Sequence, residues 1–122
     1  MTIKLDNKTC LWRGNEPAMG SGKADLLDAI IETGSISAAG RAMKMSYRRA
    51  WMLVDAMNRC FREPLVRTAA GGQQGGGASV TETGLAVLAE FRRLQQATDA
   101  AAQPYLAAFA RLLRDPADPD DR

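Results

Sequence analysis

Arg48 and Arg49 follow Ser46 and Tyr47 at the start of a helical pattern, and those four residue types in that order suit recognition of a polyanion. An arginine fork matches guanine O6 and N7 bidentately and also pairs with phosphate. Hydroxyls such as those of Ser46 and Tyr47 donate to phosphate, and a helix N-terminus favours an anion. Met52 lies one turn further along the same exposed pattern. The plain alternative for the arginines is a solvated surface helix. It loses weight because the neighbouring segments look built to carry such a helix.

Charge is distributed to match. From Arg41 to Arg67 the chain has seven cations (Arg41, Lys44, Arg48, Arg49, Arg59, Arg62, Arg67) against Asp55 and Glu63, a net +5, whereas the whole chain carries only +2. Asp115 to Arg122 is acidic and contains Pro116 and Pro119. A basic middle and an acidic end suggest that a polyanion meets the middle.

Catalysis finds no support. The chain has no histidine for general-base work, and its Asp and Glu are scattered. Cys10 and Cys60 form no paired metal-ligand motif, so no zinc set can be assembled. They read as buried small apolar residues in a reducing compartment. Gly20-Ser21-Gly22-Lys23 mimics the end of a phosphate-binding loop but lacks the Ser or Thr after the lysine and the first glycine at the required spacing. No enzyme activity and no cofactor are expected. With neither a secretory core in MTIKLDNK nor an apolar run of about 18 residues, the expected location is cytoplasmic, without a membrane partner.

The elements that must position these side chains follow from periodicity. Thr2 to Trp12 reads as β-type with a turn at Asn7-Lys8, and Gly14 to Gly20 as a loop. Leu26, Leu27, Ile30 and Ile31 give helix one an apolar face from about Gly22 to Thr33, with Ser21 as cap and Gly34 as the left-handed stop. Helix two begins beyond Ser35 or Ser37 and is thin (Ala38, Ala39, Gly40, Ala42), so another helix can approach closely. Helix three runs from beyond Ser46 to about Phe61 with Ala50, Val54, Met57 and Phe61 inward. Met43 and Met45 read as core filler beside Met57, and Trp51 reads as packing more readily than as a ligand contact. Lys44 occupies the turn, where many helix-turn-helix units place a glycine, at a cost of roughly 1 kcal/mol if φ is positive.

Leu65 to Ala70 and Ala78 to Val80 read as strands joined by the glycine-rich run Gly71 to Gly77. There Gln73 and Gln74 would donate to a phosphate or a minor groove, alongside Arg67 on the first strand. Thr81 caps a fourth helix, which Pro104 must kink or restart. Leu88, Phe91, Tyr105, Phe109 and Leu112, with Thr98 and Ala102, form a seam longer than a small domain covers, which suggests a homodimer. The fold class is therefore mainly α with a small β component: a winged helix-turn-helix with a long C-terminal helical dimerisation region. The organisation is an N-terminal β-type segment and loop (1–19), the winged domain (20–84), the helical region (85–114) and a disordered acidic tail (115–122).

GSISAA at 34–39, MSYRRAW at 45–51, EPLV at 63–66 and GGQQGGGASVTETG at 71–84 together resemble the DNA-binding domain of ModE-type molybdate-responsive regulators, related to the LysR-type winged helix. The resemblance covers residues 20–94. It implies a homodimeric transcription regulator on palindromic double-stranded DNA, a recognition helix at Ser46 to Asn58, and a wing at Arg67 to Val80. The DNA-contacting set expected from pattern and resemblance is Ser35, Ser37, Lys44, Ser46, Tyr47, Arg48, Arg49, Met52, Arg67, Gln73 and Gln74. Full-length members append molybdate-binding domains. A chain ending at Arg122 leaves no room for one, so molybdate binding is not expected and a stand-alone form is. The competing reading is a winged helix that binds another protein instead of DNA.

Overall fold

The computed structural model describes residues 3–6, 8–69 and 77–116. Along the chain run β1 (Cys10–Arg13), β2 (Glu16–Gly20), α1 (Ser21–Thr33), α2 (Ile36–Ala42), α3 (Tyr47–Cys60), β3 (Val66–Thr68), β4 (Ala78–Val80) and α4 (Glu82–Ala110). Two antiparallel hairpins, β1-β2 and β3-β4, flank the helices.

Local chemistry sets most helix boundaries. Ser35 Oγ accepts from Ala38 N at 2.9 Å, Ser46 Oγ from Arg49 N at 3.1 Å, and Thr81 Oγ1 from Gly84 N at 2.9 Å. Each satisfies an amide that a helix start otherwise leaves orphaned. Of the two candidate caps for α2, Ser35 holds the position, while Ser37 Oγ accepts from Arg41 Nη1 at 2.9 Å. Gly34 ends α1 in the left-handed region at φ 74°, donating to Ile30 O. Ser21 is the first residue of α1, not its cap. Gly20 stands at the cap position without a side-chain bond, and Ser21 Oγ accepts from Gln95 Nε2.

The N-terminal expectation needs correction. The hairpin lies later than predicted, turning at Gly14-Asn15, and residues 14–20 are mostly strand, not loop. Gly14 has φ 56°, which suits a tight turn, while Asn7 of the expected Asn7-Lys8 turn lies outside the described residues. Pro17 is accommodated opposite Trp12, beside a register irregularity between Leu11 and Trp12. The gain is burial of Ala18 and Met19. The cysteines also differ from expectation: Cys10 is exposed, and Cys60 is half-buried.

The core gathers Leu26, Leu27 and Ile30 of α1, Ala39 of α2, Ala50, Val54 and Met57 of α3, and Leu65 and Val66 around β3. Phe61, Met43 and Met45 pack partly buried against it, as expected. A Cβ on Gly40 would sit 3.2 Å from Ala50 Cβ, so the thin α2 does let α3 approach closely. Leu88 and Phe91 belong to this core and anchor α4, so these two members of the expected seam face inward within the chain. Arg92 adds a clamp on α1 through Asp25 (2.9 Å) and Asp28 (2.7 Å). α4 continues through Pro104 without starting a new helix.

Gly84, in the first turn of α4, is the tightest crossing. A Cβ there would collide with Leu65 O and lie 2.6 Å from Val80 Cγ1. Gly84→Ala is expected to destabilise the fold by about 1–3 kcal/mol through overpacking against backbone. A thermal melt checks this, and an unchanged melting temperature would show that α4 can shift freely on the hairpin.

Candidate nucleic-acid interface

α2 and α3 are joined by a turn in which Lys44 takes φ 59°, among the described residues the only non-glycine with positive φ. Met45 N donates to Gly40 O at 3.0 Å and Lys44 N to Arg41 O at 3.1 Å, which fixes the turn. The backbone thus holds the strained geometry, and the lysine side chain stays exposed at the mouth of α3.

Ala50, Val54 and Met57 bury one face of α3. Arg48, Met52, Asp55 and Arg59, spaced by four, three and four, therefore share the opposite, exposed face. Tyr47 and Trp51 stand on one flank in an edge-to-face pair with ring centroids 6.2 Å apart, and Arg49 stands on the other. Trp51 is thus not a core residue. The apolar face of α3 is filled by its neighbours at 50, 54 and 57, and the indole remains 37% exposed.

The cations divide into two kinds. Arg59 is held by Asp55 at 2.5 Å and by Glu16 of β2, and Arg92 by Asp25 and Asp28. The Arg59 hydrogen bond is the main reason that the Glu16 carboxyl lies below the usual range; the Cys60 thiol, 3.3 Å from Glu16 Oε1, is pushed up chiefly by burial. Lys44, Arg48, Arg49 and Arg67, in contrast, have no ion pair among the described residues. Cations without internal partners are available to an outside anion.

Ser35, Ser37 and Tyr47 come together with Trp51 and Thr68 around a hollow between the start of α2, the start of α3 and the base of the β3-β4 hairpin. Trp51 and Thr68 were not among the sequence-derived site residues. Their signal, if any, was only that 51 lies one turn from 47 and that 68 flanks the glycine run. Arg67 does not line that hollow itself; it lies over two others on the hairpin, one with Glu63, Ser79 and Glu82 and one with Gly34, Thr68 and Ala78. Gln73 and Gln74 lie outside the described residues. The hairpin itself pairs Val66 with Val80, Arg67 with Ser79 and Thr68 with Ala78, and Ala78 N donates to Gly34 O at 2.8 Å. That bond pins the hairpin to the end of α1. No helix among the described residues is long and apolar enough to cross a membrane.

A hairpin that follows a helix-turn-helix and leads into a long helix defines a winged helix, and solved structures share that fold. The DNA-binding domain of CbnR, crystallised with DNA, superposes with a TM-score of 0.56 at 20% identity, covering 74% of this chain and 98% of that one. A LysR family transcriptional regulator gives 0.52 at 16%, covering 71% and 28%. At these identities the likeness is one of fold. No protein-family model matches the chain. Curated relatives do: the molybdenum-pterin-binding protein MopA of Rhodobacter capsulatus is 42% identical over 87 residues, 71% of this chain and 33% of that protein. The molybdenum transport protein ModE of Azotobacter vinelandii is 41% identical over 78 residues, 64% and 29%. The DNA-binding transcriptional dual regulator ModE of Escherichia coli is 37% identical over 97 residues, 80% and 34%. The chain is homologous to the ModE-type regulators, and it spans about a third of the length of these relatives.

Lys44→Gly is expected to raise stability by roughly 1 kcal/mol by removing the left-handed strain. The same change should reduce the salt dependence of any duplex binding by close to one counterion. Melts and salt titrations of one variant check both. A lower melting temperature would show that the lysine stem packs favourably enough to offset its backbone.

Proposed function

We propose that this chain is a sequence-specific, double-stranded-DNA-binding transcription regulator that acts as a homodimer. The observation that carries the reading is the exposed pair Arg48 and Arg49. They sit without carboxylate partners among the described residues in the first turn of a helix whose start is capped by Ser46 and whose other face is locked in the core. In this reading Arg48 enters the major groove, and Ser46, Tyr47 and Lys44 meet phosphates beside the helix N-terminus. In the same reading Ser35, Ser37 and Thr68, which line one hollow, meet the adjoining backbone, and Arg67, with Gln73 and Gln74 of the glycine-rich run, contacts the backbone or minor groove. The names of the curated relatives, transcriptional regulators among them, support this reading. It assigns no oxyanion sensing to this stretch.

Replacing Arg48 or Arg49 with Ala should cost about 1–3 kcal/mol on a selected duplex and less on random duplex. Fluorescence titration against both duplexes decides it. Equal losses on the two would reduce the arginines to phosphate contacts, and no loss would overturn the assignment of α3.

The dimer is proposed through the second half of α4. Tyr105 and Phe109 of α4 and Leu112 just past its end are 69%, 54% and 79% exposed, and Leu94 earlier on α4 and Leu113 are exposed too. Apolar groups recurring along one helix beyond its own domain are covered most simply by a second copy. Two recognition helices on one duplex face also need a separation of about 34 Å, which a two-fold pair supplies. Tyr105→Ala combined with Phe109→Ala should give a folded monomer by light scattering, with weaker DNA binding. A full-affinity dimer in that variant would move the interface elsewhere.

A further inference from the structure

The DNA-binding reading counts Met52 of α3 among the contacts but does not say which group it meets. Met52 is 61% exposed in the middle of the outward face, and beside it Trp51 is 37% exposed. Together with Tyr47, Arg48 and Asp55 they line a shallow groove along the helix. Arg59, the last residue of that face, is held by Asp55 and Glu16. The part of the outward face that is free to meet a ligand is therefore one arginine followed, one turn on, by an apolar thioether backed by an aromatic ring.

Resting on the DNA-binding reading, we propose that Met52, supported by Trp51, receives the C5-methyl group of a thymine in the major groove, next to the base pair met by Arg48. The major-groove edge of thymine carries an acceptor and a methyl, and the methyl is the one apolar group any base pair presents there. An unbranched thioether adapts to such a small target, and burying a methyl against it gains transfer free energy that water cannot supply. The surroundings select nucleic acid over a protein groove as the occupant. The groove carries Arg48, which has no ion pair among the described residues, and its one carboxylate, Asp55, is already engaged by Arg59. It lies within a stretch of net charge +5, which a polyanion complements and which opposes an ordinary apolar protein interface.

The test uses the full chain and a duplex selected from a random library. Each thymine is replaced singly by deoxyuridine, which removes the methyl and leaves every hydrogen-bonding group. At one thymine in each half-site the wild type should lose about fourfold in affinity, the worth of one buried methyl. Met52→Ala should lose affinity for the thymine duplex and show less than a 1.5-fold response to the same replacement, roughly the flat response expected when no apolar partner remains. Met52→Leu should restore the response. Because Met52 is exposed, these variants should melt with the wild type, and the melts confirm that folding is not the cause. If uracil is tolerated at every position while Arg48→Ala still abolishes selectivity, the thymine contact is overturned and the DNA reading stands. If the chain shows no salt-dependent duplex binding at all, both fall.

Discussion

The side-chain amide of Asn58 holds the arrangement of helix and wing. Its Oδ1 accepts from Leu65 N at 2.8 Å and Val66 N at 3.1 Å, while its Nδ2 donates to Val66 O at 3.1 Å. The hairpin is only two strands wide, so the far edge of β3 would otherwise present unpaired backbone groups in a half-buried place. One residue of α3 supplies the missing partners. The inner edge is fixed from the other side, with Thr81 N donating to Leu65 O and Thr81 Oγ1 donating to Pro64 O. Through these bonds α3, the hairpin and the start of α4 are tied together. A fully buried polar group left without partners costs about 1–3 kcal/mol; in this half-buried place the penalty is smaller but still favours the paired geometry.

Sequence made the helices legible because their boundaries are local. Ser35, Ser46 and Thr81 each accept from the amide three residues on, and Gly34 and Lys44 carry the positive φ values that end one helix and turn another. What escaped is long-range. Nothing within a few residues of Asn58 signals that its amide will serve an edge strand. The β1-β2 hairpin was misplaced because Pro17 reads as a strand breaker, yet it is tolerated beside an irregular register where Ala18 and Met19 gain burial. Trp51 was drawn toward the core by residue type. Helix phase decides otherwise, because Ala50 and Val54 already occupy the buried positions on either side of it.

The same distinction applies to charge. A net +5 between Arg41 and Arg67 could not say which cations are spent on the fold. Arg59 closes α3 onto β2 through Glu16, four residues after Asp55 on its own helix, and so contributes to the architecture. Arg48 and Arg49 lie near the N-terminus of α3, about two turns before Asp55, and have no ion pair among the described residues. The pairing sorts the basic stretch into a structural end and an available end. The available end is the one at the positive pole of the helix, where an anion is further favoured.

α4 shows how the anchored part of the domain constrains whatever lies beyond it. Leu88 and Phe91 are buried against the core, and Arg92 binds Asp25 and Asp28 of α1, so the helix leaves the domain in a fixed direction within its first three turns. Gln95 and Thr98 continue the attachment through Ser21 and Thr9. Past that point the large apolar residues Tyr105, Phe109 and Leu112 are exposed. A helix of 29 residues spans roughly 43 Å at 1.5 Å per residue, so a small rotation at its anchored end becomes a large displacement at the other. The inward seam of α4 is thus what gives its outward residues a defined position relative to Arg48, and it makes the angle at Leu88 and Phe91 the quantity that would set the separation of two such domains.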